Sequence, residues 1–192
     1  MSEDLKTVPN YLTTARLIMA PLLWMVALLR MPIWLGVGLI ITGLTDIFDG
    51  YVARKLNQST SLGSALDSLA DNILIISMVI WLFLLRPEVL TGHPILLLAA
   101  ISIALTSLLV GLLKFRQVAN LHLYSAKVFG VVGHVFVIHA FLWGAYSKIL
   151  FYSAISLWLL SSIEALVLQL ARPQIDERMK SIIHVYFARH KA

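Results

Sequence analysis

The sequence predicts an all-α integral membrane protein: a bundle of six transmembrane helices followed by a C-terminal amphipathic segment. Three observations lead there. Of the 192 residues, 59% are hydrophobic and only 13% are charged, a balance far from that of soluble domains. The apolar residues gather in runs of about 17 to 22, the length that carries a helix across roughly 30 Å of hydrocarbon. The basic residues, finally, sort to one side of the topology those runs define.

The first span is expected over residues 11–29, after an N-terminal cytoplasmic segment 1–10. The opening MSEDLKTVPN is polar and mixed in charge, without the basic stretch and cleavage site of a secretory signal, so this apolar run is expected to remain as a helix. Pro21 lies inside it, where a kink is tolerated if neighbours satisfy the freed carbonyl. The next spans are expected over 33–52, 65–85, 95–113, 125–143 and 149–170. Pro32 and Pro94 precede the second and fourth, and Pro87 follows the third, all at places where a missing backbone donor does little harm. Beyond Arg172 and Pro173 the tail 172–192 turns polar, and Ile182, Ile183, Tyr186 and Phe187 alternate with charges at near-helical spacing. An amphipathic helix on the cytoplasmic leaflet is expected there. No repeat or low-complexity tract interrupts the chain, which is expected to form one membrane-embedded domain over 1–192.

Six crossings put both termini on one side. That side carries Lys6, Arg16, Arg54, Lys55, Lys114, Arg116, Lys127, Arg172, Arg178, Lys180, Arg189 and Lys191, and the other only Arg30, Arg86 and Lys148. The excess places the termini in the cytoplasm. The formal charge of +5 therefore reads as orientation and contact with membrane lipid, with no nucleic acid partner. The absence of cysteine excludes disulfides, thiol nucleophiles and cysteine-ligated zinc.

Chemistry concentrates in TDIFDGYVARKLNQSTSLGSALDSLADN. Asp46 and Asp49 are three residues apart and Asp67 and Asp71 four apart, spacings that put each pair on one helix face. Carboxylates at such depth are costly. If the two helices pack as neighbours joined by a loop over 55–64, the four converge near the cytoplasmic surface, where they repel one another unless a hard cation lies between them. One or two Mg²⁺ or Mn²⁺ ions, bound also to a substrate phosphate, resolve the conflict. Gly50 and Ala53 keep that face low for a ligand, Arg54 offers a fork suited to phosphate, and Gly63 is expected in the loop, where it permits close approach. Any one of these aspartates alone reads equally well as a cap or an interfacial residue; the paired set points to a site.

The pattern D-x2-D-G-x2-A-R-x8-G-x3-D-x3-D, from Asp46 to Asp71, resembles the signature of the CDP-alcohol phosphatidyltransferases of phospholipid synthesis at every fixed position. The resemblance implies a two-metal site in which Asp46, Asp49 and Asp67 are mainly ligands and Asp71, also a ligand, is the base for the acceptor hydroxyl. It implies a CDP pocket lined by Asp46, Asp49, Gly50, Ala53, Arg54, Gly63 and Asp67, and a homodimer. An alcohol attacks phosphorus only as its proton is taken up, and with no covalent nucleophile evident, direct displacement of CMP is expected.

VPNYLTTARLIMAPL and NQSTSLGSALDSLADNILI are similar to segments of phosphatidylglycerophosphate synthases and related cardiolipin synthases. That likeness implies CDP-diacylglycerol as donor and a polar alcohol as acceptor, glycerol 3-phosphate first, with phosphatidylglycerol as the alternative. Ser68 stands where the pattern has proline and Asn72 where it has lysine, which removes a cation beside the last aspartate.

Lys127, Arg116 and His122 are candidates for holding the acceptor. Lys127 leads because a cation entering the membrane needs a partner; Arg116 and Lys114 read equally well as markers of a cytoplasmic loop. His134 and His139 have no spacing that makes them ligands. Glu164 is expected to pair with Lys148 or a polar neighbour, and the five tryptophans to anchor or face lipid. A cation transporter is the alternative outside enzymology, since intramembrane carboxylates also mark ion paths. Clustering of all four aspartates towards one surface argues against it.

Overall fold

The computed structural model describes residues 8–56, 61–115 and 123–171, with side-chain surroundings given for 18–48, 70–71, 73–115 and 123–171. Every regular element among the described residues is an α-helix: α1 (Val8–Leu28), α2 (Pro32–Leu56), α3 (Ser61–Leu85), α4 (Pro87–Thr91), α5 (Pro94–Phe115), α6 (Tyr124–Leu142) and α7 (Lys148–Ala171). The all-helical expectation holds, and the six long helices fall on the six apolar runs. Helix α4 is an addition, opened by Pro87 with Glu88 in its first turn, and is too short for an apolar period to reveal. The expected amphipathic tail lies outside the described residues.

Helices α5, α6 and α7 are long and apolar enough to cross a membrane; α1, α2 and α3 carry the shorter apolar stretches Ile18–Leu28, Pro32–Phe48 and Ile73–Leu85. Helix α1 continues through Pro21 and stops in a Schellman arrangement. The Met31 amide donates to the Val26 carbonyl at 3.2 Å and the Arg30 amide to Ala27 at 3.0 Å, while Arg30 takes a φ of 54°, the left-handed position where glycine is usual. Pro32 then begins α2 with a preset φ.

The chain divides into two compact units, Met1–Val89 with Val137–Ala145, and Leu90–Phe136 with Tyr146–Ala192. In the first, α1 packs on both α2 and α3, burying Leu23, Ala27, Leu35, Leu39, Leu74, Met78 and Leu82. Trp81 corrects the expectation for the tryptophans, because it is 0% exposed and meets Trp24 edge-on at 5.7 Å. Trp24 Nε1 in turn donates to Ser77 Oγ at 2.9 Å. Trp34 and Trp143 are exposed. Helix α6 ends where Gly144 adopts a φ of 72°, and Arg86 Nε donates to the Ala140 carbonyl in its last turn at 3.0 Å.

In the second unit α5 packs on α7. Lys114 Nζ donates to the carbonyls of Gln169 at 2.7 Å and Leu170 at 3.1 Å, which caps the end of α7, so this lysine has a structural partner. His93 stacks on Phe151 with ring centroids 4.7 Å apart, and Phe129 on Trp158 at 5.9 Å.

Candidate active site

Where the motif aspartates stand follows from the helix period. On α2 the buried residues Leu35, Leu39 and Thr42 recur at steps of four and three, and the same stripe continues through positions 46, 49 and 53. On α3 the buried residues Leu74, Met78 and Trp81 form a stripe that extends backwards through positions 71 and 67. Asp46 and Asp71 therefore lie on the continuation of the face that each helix buries within the first unit. Asp46 and Asp71 are half-buried, while Ile47 and Phe48, on the opposite side of the same turn, are 67% and 61% exposed.

Backbone polarity leads into the motif on α2. Thr42 Oγ1 donates to the carbonyls of Gly38 at 3.1 Å and Leu39 at 3.0 Å, and Thr45 Oγ1 to Thr42 at 2.8 Å. These back-bonds satisfy two hydroxyls in an apolar stretch and loosen the turn just before Asp46.

Asp49, Gly50, Ala53 and Arg54 lie on α2, and Asp67 on α3; their side chains fall outside the described set. Gly63 corrects its sequence assignment. It was expected in a loop over 55–64, but α2 runs to Leu56 and α3 begins at Ser61, so Gly63 is helical. Leu62, Ala65 and Leu66 are strong helix formers, and they start α3 ahead of its apolar run.

Among the described residues no group of three His, Asp or Glu side chains is placed to hold a metal ion. Of the expected quartet, Asp46 and Asp71 are in that set and Asp49 and Asp67 are not. Asp46 and Asp71 are half-buried carboxylates, oxygen donors whose chemistry fits a hard divalent cation.

Of the acceptor candidates, Lys127 stands exposed in the first turns of α6, in the second unit, and Arg116 and His122 lie outside the described residues. His139 stacks on Trp143 at 5.0 Å. Glu164 has a polar neighbour: Ser125 Oγ donates to its Oε2 at 2.6 Å. Lys148 opens α7, sixteen residues before Glu164 and about 24 Å away along the axis, too far for that pairing. Sequence reasoning missed Ser125, whose only signal was its place in the first turn of a span.

The family model described as CDP-alcohol phosphatidyltransferase matches residues 6–172. A protein of Rickettsia bellii named CDP-diacylglycerol--glycerol-3-phosphate 3-phosphatidyltransferase is 36% identical over 98 residues, covering 50% of this chain and 53% of its own. One of the same name from Aquifex aeolicus is 44% identical over 66 residues, 34% of this chain and 37% of its own. The human cardiolipin synthase (CMP-forming) is 47% identical over 75 residues, 38% of this chain and 25% of its own. The chain thus spans about half the length, or less, of these relatives. No solved structure matches it.

Proposed function

Because the chain belongs to the CDP-alcohol phosphatidyltransferase family, we propose that it transfers a phosphatidyl group from CDP-diacylglycerol to an alcohol with release of CMP. The complete motif from Asp46 to Asp71, inside a family match over 6–172, is the observation that carries this. Glycerol 3-phosphate is the first acceptor, supported by the names of the Rickettsia and Aquifex relatives. The name of the human relative supports a second reading, in which phosphatidylglycerol is the acceptor and cardiolipin the product.

In this proposal Asp46, Asp49, Asp67 and Asp71 would hold two Mg²⁺ or Mn²⁺ ions, whose positive charge would offset the negative charge on the phosphoryl oxygens and the departing phosphate. Asp71 takes the proton of the acceptor hydroxyl as the oxygen attacks phosphorus. Gly50, Ala53 and Gly63 leave room for the nucleotide, and Arg54 pairs with its diphosphate. Lys127, Arg116 and His122 receive the acceptor. Six spans, termini and site on the cytoplasmic side, an interfacial tail over 172–192, a single catalytic domain and a homodimer complete the arrangement. The twelve-to-three division of basic residues supports the orientation.

The test is purified protein supplied with Mg²⁺ or Mn²⁺, CDP-diacylglycerol and a panel of acceptors, with products read by lipid mass spectrometry. Phosphatidylglycerophosphate and CMP are expected. Cardiolipin from phosphatidylglycerol would select the second reading. Absence of any lipid product or CMP, with cation uptake into vesicles instead, would replace the enzyme by a transporter.

A further inference from the structure

Within the second unit, α5, α7 and the start of α6 enclose a cleft of about 230 Å³, open along one side. Its walls are mostly small and apolar, Ala126 and Ala165 among them, but four polar residues reach it: Ser107, Ser161, Ser162 and Gln169. They are 6%, 9%, 8% and 3% exposed, respectively. Ser107 donates to Gln169 Oε1 at 3.4 Å, which occupies that hydroxyl and the amide oxygen. The hydroxyls of Ser161 and Ser162 and the amide nitrogen of Gln169 have no hydrogen-bond partner among the described residues. All three line the cleft.

Helices α5 and α7 are both long and apolar enough to cross a membrane, and in hydrocarbon an unmatched donor has no water to turn to. The group that satisfies these three must offer acceptors, bring few donors, and be apolar otherwise, since the remaining wall is alanine, glycine and leucine. Sugars and free polyols fail on the second condition. Ester carbonyls of a diacyl lipid meet all three: two acceptors on a three-carbon backbone, with no N–H or O–H.

A volume of about 230 Å³ matches roughly eight groups of water size at 30 Å³ each. That is enough for an ester-linked glycerol segment and the first methylenes, with the chains leaving through the open side.

We infer that this cleft is a binding site for a diacyl phospholipid of the surrounding bilayer, held at its ester carbonyls by Ser161, Ser162 and Gln169. The assignment is independent of the transferase reading, because none of its residues belongs to the motif.

The experiment places the full chain in vesicles containing a photoactivatable diester phosphatidylcholine, or its diether counterpart, which lacks the carbonyls. Crosslinks are then mapped by mass spectrometry. Diester labelling of the segments around Ser107 and Ser161 is expected to exceed diether labelling by about threefold or more, the worth of a single hydrogen bond. The double variant Ser161→Ala, Ser162→Ala should remove that excess, and Ala165→Leu, which fills the cleft, should abolish the labelling. The diether comparison needs no variant and so survives any folding defect. Equal labelling by both lipids overturns the site, since it would mean that water or non-specific hydrocarbon fills the cleft. Displacement of the label by CDP-diacylglycerol but not by unlabelled phosphatidylcholine overturns the assignment to a bilayer lipid.

Discussion

Ser125 donates its hydroxyl to Glu164 at 2.6 Å, tying the first turn of α6 to the middle of α7. Hydrogen bonds between membrane helices average about 0.6 kcal/mol and reach about 1.7 kcal/mol. Ser125→Ala should therefore lower stability by about 1 kcal/mol, read as a shift in the thermal unfolding of the detergent-solubilised protein. An unshifted transition would show that the bond contributes nothing net.

Close approach of backbone in the first unit gives a second expectation. A Cβ on Gly36 would stand 2.9 Å from both Cγ and Cδ2 of Leu142 and 3.4 Å from Cβ of Phe141, while a Cβ on Gly38 would collide only with the far end of Leu23. Leu23 can rotate aside; Leu142 is obstructed at its branch point. Gly36→Ala should destabilise by about 1–3 kcal/mol and Gly38→Ala by less. The reverse order in unfolding assays would contradict the packing described.

Two left-handed positions should respond in opposite directions. Arg30, with a φ of 54°, bears a strain of about 1–2 kcal/mol, partly offset in Arg30→Gly by the entropy of glycine, about 0.5–1 kcal/mol. A gain of about 0.5 kcal/mol is expected. Gly144→Ala, at a φ of 72°, should lose about 1–2 kcal/mol. Thermal unfolding of both variants beside the unaltered protein checks the signs.

The helices were legible in the sequence because span-length apolar runs bounded by Pro32, Pro87 and Pro94 are strong local signals. The end of α1 was not, since Arg30 occupies a position that glycine normally marks. Gly63 was misplaced because a run of apolar residues measures membrane thickness, not helix length, and α3 begins at Ser61, four residues before the apolar run. The aspartate spacing was visible at once. That Asp46 and Asp71 continue the buried stripes of α2 and α3 depends on which faces meet α1, which periodicity alone does not reveal. The same limit hid Trp81 in the core and the meeting of Ser107 with Gln169, 62 residues apart.

In the proposed reaction, Asp71 is the group that removes the acceptor proton, in a site it would share with Asp46, Asp49 and Asp67. CMP release from CDP-diacylglycerol in the presence of Mn²⁺ and glycerol 3-phosphate, compared between the native protein and Asp71→Asn, tests this most directly. A fall of about 10²- to 10⁴-fold, the usual contribution of a general base, is the predicted result, with Asp71→Asn still folded by its unfolding transition. Turnover by Asp71→Asn at the native rate would contradict it.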